Sequence, residues 1–208
     1  MTNQQQNKKF RLSEISSLLY DSESLSFGKY MLSSGVQSPY YLDLGVLYSK
    51  PESFKKITFE LTELINHKTS DEHIVGIPLR GLVYAISTSY SLKRKFLLFR
   101  KNIKKHGTKN MIEGKWKEGD EAVLIDDVAS SGSSLLDIAL QAQKIGLKIS
   151  KAFVVVDRCQ GAKEKLSENK IELISCIDIY MISQSLYELG KISKVEYDQI
   201  VSYSKSKK

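Results

Sequence analysis

Two adjacent carboxylates, Asp126 and Asp127, follow the apolar run Ala122-Val123-Leu124-Ile125. After Val128 come the small residues Ala129-Ser130-Ser131-Gly132-Ser133-Ser134. A small, hydroxyl-rich loop that opens a helix exposes backbone N–H groups, and the helix N-terminus adds partial positive charge. Such a loop suits a phosphate. Two carboxylates beside that phosphate would repel it. They make sense when they face another part of the same ligand, either a sugar diol or a metal. A ribose 5-phosphate satisfies both halves. The loop lacks the G-K-[ST] ending of a Walker A loop, and it is not a G-x-G-x-x-G dinucleotide fingerprint. An N-cap cluster, worth about 1 kcal/mol, would account for one acid and one serine. It leaves the paired acids and the run of small residues without a reason.

Other charged residues stand at the ends of apolar runs. Arg80 comes shortly after His73–Ile77. Arg100 and Lys101 follow Phe96–Phe99, and Asp157-Arg158 follow Ala152–Val156. In an open α/β sheet, ligands bind outside the carboxyl ends of the strands. Four such ends are therefore expected to converge on one edge. The stretch 101–117 is basic, contains Gly107 and Gly114, and lacks strong periodicity. It reads as a lid that closes over a reacting site, against the commoner alternative of a solvated charge run. His67 and His73 read as structural.

The elements that position these residues follow from periodicity. Helical spacing marks residues 10–20, 54–65, 81–91 and 133–145. Short apolar strands are expected at 27–32, 73–77, 96–99, 122–125 and 152–156, with another strand and one or two helices after Leu173. Ser33 to Pro39 is turn chemistry, and Tyr40 to Leu44 resumes an extended run. Strands alternating with helices imply an α/β fold with a mostly parallel central sheet flanked by helices, preceded by a small hairpin segment. The expected organisation is a flexible 1–9, a single domain over 10–202 and a flexible tail over 203–208. Within the domain, 10–50 is the N-terminal segment and 51–202 the α/β core.

Composition narrows the partners. The 208 residues are 41% hydrophobic and carry a formal net charge of +7. That charge admits nucleic acid, an acidic membrane surface or a polyanionic small molecule. The lysines are dispersed, apart from 101–109 and the tail, and form no concentrated basic stripe of the kind a nucleic-acid binder needs. No apolar run approaches the roughly 20 residues of a membrane helix, and the polar start Met1–Lys9 is unlike a secretory signal. Cys159 and Cys176 make no C-x-x-C pair. They read as small buried hydrophobes, which suits a reducing cytoplasm.

The run Val123-Leu124-Ile125-Asp126-Asp127-Val128-Ala129-Ser130-Ser131-Gly132-Ser133-Ser134 resembles the 5-phosphoribosyl 1-diphosphate signature of the type I phosphoribosyltransferases. Three further stretches resemble the orotate branch of that family. They are Phe27 to Asp43, with Ser34-Gly35 and Ser38-Pro39-Tyr40-Tyr41; Arg100-Lys101 through Lys104, His106 and Gly107; and Asp157-Arg158-Cys159-Gln160-Gly161. The resemblance runs from about Phe10 to Leu186 and is closest to the domain that some organisms fuse to a decarboxylase in UMP synthase.

It implies the type I fold with an N-terminal hood, and transfer of a phosphoribosyl group to orotate. Asp126 and Asp127 would hold the ribose hydroxyls, and Val128, Ala129, Ser130, Ser131, Gly132, Ser133 and Ser134 the 5′-phosphate. Arg80, Arg100, Lys101, Lys104 and His106 would serve the diphosphate, with Lys104 the main catalytic lysine. Tyr41, Leu42, Ser130 and Arg158 would contact orotate. Mg²⁺ would ride on the substrate. A homodimer is implied, with the 101–117 loop reaching the neighbouring site, and a separate decarboxylase is a candidate partner. Ser33 stands where the family commonly has a lysine, leaving Lys29 as a substitute cation, and Lys105 replaces a residue that is often acidic. Two other readings stay open: a phosphoribosyltransferase for another base, and a non-catalytic ribosyl-diphosphate sensor that binds nucleic acid. Loss of orotate absorbance in the presence of the donor separates these.

Overall fold

Ala122, Val123, Leu124 and Ile125 are fully buried, as a strand covered on both faces must be. In the computed structural model, which describes residues 3–31, 35–71, 73–100 and 111–206 with side chains from Lys9 onward, they lie in β6 (Glu121–Ala129). This strand belongs to a six-stranded sheet. The order is β5 (Ile112–Glu113), β4 (Lys95–Phe99), β3 (His73–Gly76), β6, β7 (Lys148–Asp157) and β8 (Glu172–Asp178). β3 runs parallel to both β4 and β6, pairing His73 with Lys95 on one side and with Ala122 on the other. β5 is antiparallel to β4.

The elements fall into two compact units. One comprises Thr58–Val155 and Gly161–Cys176. Its core joins Val75, Leu97, Phe99, Leu124 and Val154 of the sheet to Leu135, Ile138, Ala139 and Ala142 of α4 (Ser133–Lys144). α3 (Arg80–Leu92) packs on β3 and β6. A short helix, α5 (Ala162–Ser167), contributes Ala162 and Leu166 to the same core. α2 (Pro51–Lys68) leads into this unit; it starts on proline, whose missing N–H costs nothing at a first helical position.

The other unit comprises Met1–Ile57, Val156–Gln160 and Ile177–Lys208. It holds α1 (Asn3–Asp21) and the antiparallel pair β1 (Leu25–Met31) and β2 (Gln37–Leu42). A 3-10 turn over Leu44–Ser49 follows, and α6 (Ile179–Glu188) and α7 (Lys194–Lys205) complete the unit. α1 packs on α6, and α7 packs on α6 and β2. Ser193 and Glu196 form a capping box that starts α7.

The mostly parallel sheet and its flanking helices agree with the expected class. Four details differ. α1 begins at Asn3, well before the apolar spacing starts at Phe10, because its Gln and Lys residues are good helix formers. α7 likewise extends into the polar 203–205. β6 continues through Val128 and Ala129, so these two residues are strand rather than loop. Finally, residues 111–117 are not free to act as a lid. Ile112 is buried and paired to Phe99, and Met111 and Trp116 pack against the core. Ser33, Lys101, Lys104, Lys105 and His106 lie outside the described residues. Among those that are described, no helix is long and apolar enough to cross a membrane.

Candidate active site

The acidic pair sits where β6 leaves the core. Asp127 N–H donates to Asp126 Oδ1 at 2.9 Å, and Val128 N–H donates to Asp127 Oδ1 at 2.8 Å. Each carboxylate therefore has one oxygen tied to the local backbone. The second oxygen of Asp127, Oδ2, is buried and has no hydrogen-bond partner among the described residues; Arg80 Nη1 lies 3.8 Å away. Burial, followed by the negative charge of Asp127, pushes the Asp126 carboxyl up to about 8. Burial also raises Asp127, against its hydrogen bonds and the nearby Arg80. Arg80 offsets only part of this, and a further cation or hydroxyl partner would let both groups ionise.

Arg80 reaches the pair because α3 starts directly beside β6. Ile77 N–H donates to Ile125 O at 2.9 Å, and the peptide bond between Pro78 and Leu79 is cis. Gly81 permits the approach, since a Cβ there would lie 2.4 Å from Ile125 O and 2.9 Å from Asp126 Oδ1.

The small-residue loop follows. Asp126 and Val128 to Leu135 line a small polar concavity. Gly132, at φ 71, caps α4, and its Cα hydrogens face Ala162 of α5, where a Cβ would come within 3.0 Å of backbone. Ser131 Oγ and Ser133 Oγ are 3.1 Å apart. Lys165 of α5 donates to Ser133 Oγ at 2.9 Å, setting a cation at the rim of the concavity. Nothing in the sequence separates Lys165 from the other surface lysines, because only folding brings α5 against the loop. The helix N-terminus, the loop N–H groups and this ammonium together favour a phosphate.

Arg100 follows β4. Its N–H donates to Met111 O at 2.8 Å, and its guanidinium pairs with Glu113 on β5, a partner not foreseen from the sequence.

The second group of expected contacts lies in the other unit. Arg158, just past β7, donates from Nε to the Tyr40 hydroxyl at 3.1 Å, and its guanidinium carbon is 4.9 Å from the centre of that ring. Tyr41 is exposed beside Tyr30, with ring centres 5.6 Å apart, and Leu42 pairs with Leu25. Tyr40 was not singled out as a site residue, although it lies inside the N-terminal motif. Ser130 belongs to the phosphate loop, and Tyr41, Leu42 and Arg158 to the β2 and β7 ends.

An acid pair above a hydroxyl loop, at the carboxyl end of a central parallel strand, defines a phosphoribosyl-binding α/β protein. The phosphoribosyl transferase domain model matches residues 44–187. The orotate phosphoribosyltransferase of Methanocaldococcus jannaschii is 36% identical over 167 residues, which is 80% of this chain and 94% of that one. The uridine 5′-monophosphate synthase of Bos taurus is 34% identical over 185 residues, 88% of this chain and 38% of that protein. Among solved structures, the UMP synthase of Leishmania donovani superposes with a TM-score of 0.82 at 25% identity, covering 93% of this chain and 42% of that one. The chain belongs to the phosphoribosyltransferase family, on its orotate phosphoribosyltransferase branch.

Proposed function

We propose that this protein transfers the phosphoribosyl group of 5-phosphoribosyl 1-diphosphate to orotate, giving orotidine 5′-phosphate and diphosphate for pyrimidine synthesis. The observation that carries this reading is the Asp126–Asp127 pair above the 130–134 loop, with the buried Asp127 Oδ2 left without a hydrogen-bond partner among the described residues. That oxygen fits a ribose hydroxyl, and the loop fits the 5′-phosphate.

Each side chain then has a role. Asp126 and Asp127 accept from the ribose hydroxyls. Ser130 to Ser134 hold the phosphate through backbone N–H groups and hydroxyls, next to Val128 and Ala129. Arg80, Arg100, Lys101, Lys104 and His106 stabilise negative charge as the diphosphate departs, which is the main electrostatic task of such a transfer. Arg158, with Tyr41, Leu42 and Ser130, serves orotate, whose carboxylate suits a guanidinium. The donor set also fits Mg²⁺: the raised acid pair gains from any nearby cation. Asp126 and Asp127 would hold Mg²⁺ by way of the ribose hydroxyls, and when bound it neutralises charge on the diphosphate.

Two further parts belong to this reading. The chain works as a homodimer in the cytoplasm, with residues 101–110 serving the neighbouring subunit. Leu79, Val83, Ile86 and Tyr90 support the dimer: spaced by four, three and four residues, they leave an exposed apolar stripe along α3 and its N-cap Leu79, with Leu79 at 82% and Tyr90 at 88%. An apolar stripe of this kind is a protein-contact feature. A cytoplasmic location suits the two half-buried thiols.

The test is a mixture of protein, both substrates and Mg²⁺, followed by loss of orotate absorbance. Orotate is expected to be consumed, while uracil and hypoxanthine are not. Arg158→Ala is expected to raise the orotate KM about tenfold or more, with a smaller effect on the donor. Equal effects on both substrates would remove Arg158 from the acceptor role.

A further inference from the structure

We infer that Tyr40 is a positioning residue for the acceptor: its hydroxyl holds Arg158 in the orientation that meets the orotate carboxylate. The inference rests on the orotate reading given above.

Tyr40 is fully buried on β2. Its hydroxyl accepts from Arg158 Nε at 3.1 Å, and the guanidinium carbon lies 4.9 Å from the ring centre, within cation–π reach. Behind it, Tyr203 of α7 meets the Tyr40 ring edge-on, with centres 5.9 Å apart and planes at 87°. A buried ring braced by a second ring has one rotamer to offer. The hydroxyl is therefore a fixed point for an arginine whose long stem would otherwise sample many. Because Nε is committed to Tyr40, the terminal nitrogens are left for a ligand. One of them, Nη2, is buried and has no partner among the described residues. A buried donor left unmatched is costly, which is what a donor reserved for a carboxylate looks like before the carboxylate arrives. An alternative is that Tyr40 is only a core tyrosine whose hydroxyl happened to need a partner. That alternative gives it no reason to discriminate between the two substrates.

The discriminating variant is Tyr40→Phe, which keeps the ring and its packing and removes only the hydroxyl. It is expected to raise the orotate KM about fivefold to tenfold. The donor KM, kcat and the thermal midpoint should shift far less. In an Arg158→Gln background the same substitution should add nothing further to the orotate KM, because the hydroxyl then has no guanidinium to hold. Should Tyr40→Phe not fold, Tyr203→Leu tests the same chain of contacts, with a smaller rise in orotate KM expected and the donor KM again spared. An unchanged orotate KM, equal shifts for both substrates, or full additivity with Arg158→Gln overturns the inference. Wild-type protein that consumes no orotate overturns the orotate reading and this inference together. Active wild-type protein with an unresponsive Tyr40→Phe overturns the inference alone.

Discussion

Asp126 and Asp127 are one peptide apart and partly withdrawn from water, so ionising both is unfavourable until a ligand supplies donors or a cation. The consequence for stability has a definite sign. The Asp126 carboxyl sits at about 8 in the folded protein, against an ordinary value of 3.8. Between those values the folded state holds a proton that the unfolded chain has shed. Stability therefore falls as pH rises from about 4 to about 8, then levels off. Asp126→Asn mimics the protonated acid, since its amide oxygen still accepts from Asp127 N–H. We expect this variant to be more stable than wild type by about 1–3 kcal/mol at pH 8, after discounting for partial exposure, and no more stable at pH 4. Thermal unfolding at the two pH values reads this directly. Turnover should be lost at both, because an amide cannot carry the charge that the ribose hydroxyls need. A gain that is the same at pH 4 and pH 8 would mean that ionisation of Asp126 has no part in the strain. A gain confined to pH 8 makes the site an example of charge held ready for a ligand at a cost to the fold.

At the scale of elements, the site depends on how closely α3 lies on β6. Gly81→Ala would place a methyl group 2.4 Å from Ile125 O. Backbone cannot yield there without moving α3, and Arg80 at its start moves too. We expect a loss of about 2–3 kcal/mol in denaturant unfolding, with the donor KM raised more than the orotate KM. A substitution without effect would show that α3 can shift on β6 without disturbing Arg80. The strands themselves were legible in the sequence, because the central residues of β3 and β6 are covered on both faces and must be apolar there. The end of β6 was not: Asp126 and Asp127 break the apolar signature while the backbone stays extended. β5 has only two residues and exists because Ile112 and Glu113 find β4, so no local pattern announces it. The same pairing explains why the lid reading of 101–117 was too long, since Ile112 and Trp116 belong to the core. In the site, the acid pair and the loop were visible as residue types in sequence. Tyr40 against Arg158 was not, because the two are 118 positions apart and only the fold makes them neighbours. The pairing of Arg100 with Glu113 was hidden for the same reason, set by a strand too short to foresee.

On the scale of the whole molecule, the proposed dimer makes a demand that a monomeric enzyme does not. If residues 101–110 serve the neighbouring subunit, then Lys104 and the Asp126–Asp127 pair of one chain never work together. Each chain's carboxylates would instead work with its partner's lysine. Lys104→Ala and Asp127→Asn should each be inactive as homodimers. Co-expressed and allowed to assemble at random, half of the dimers are mixed. Each mixed dimer has one site with the carboxylate pair of the first variant and the lysine of the second, both intact. Its other site carries both lesions. Activity should therefore return to about one quarter of wild type, with both substrates showing wild-type KM values, because every working site is complete. The α3 stripe sets a control: Ile86→Glu, added to both variants, places a charge on an apolar face and should abolish the recovery along with the dimer, as read by sedimentation. Recovery that survives in monomers, or no recovery from dimers shown to have mixed, would mean that the basic loop acts on its own subunit.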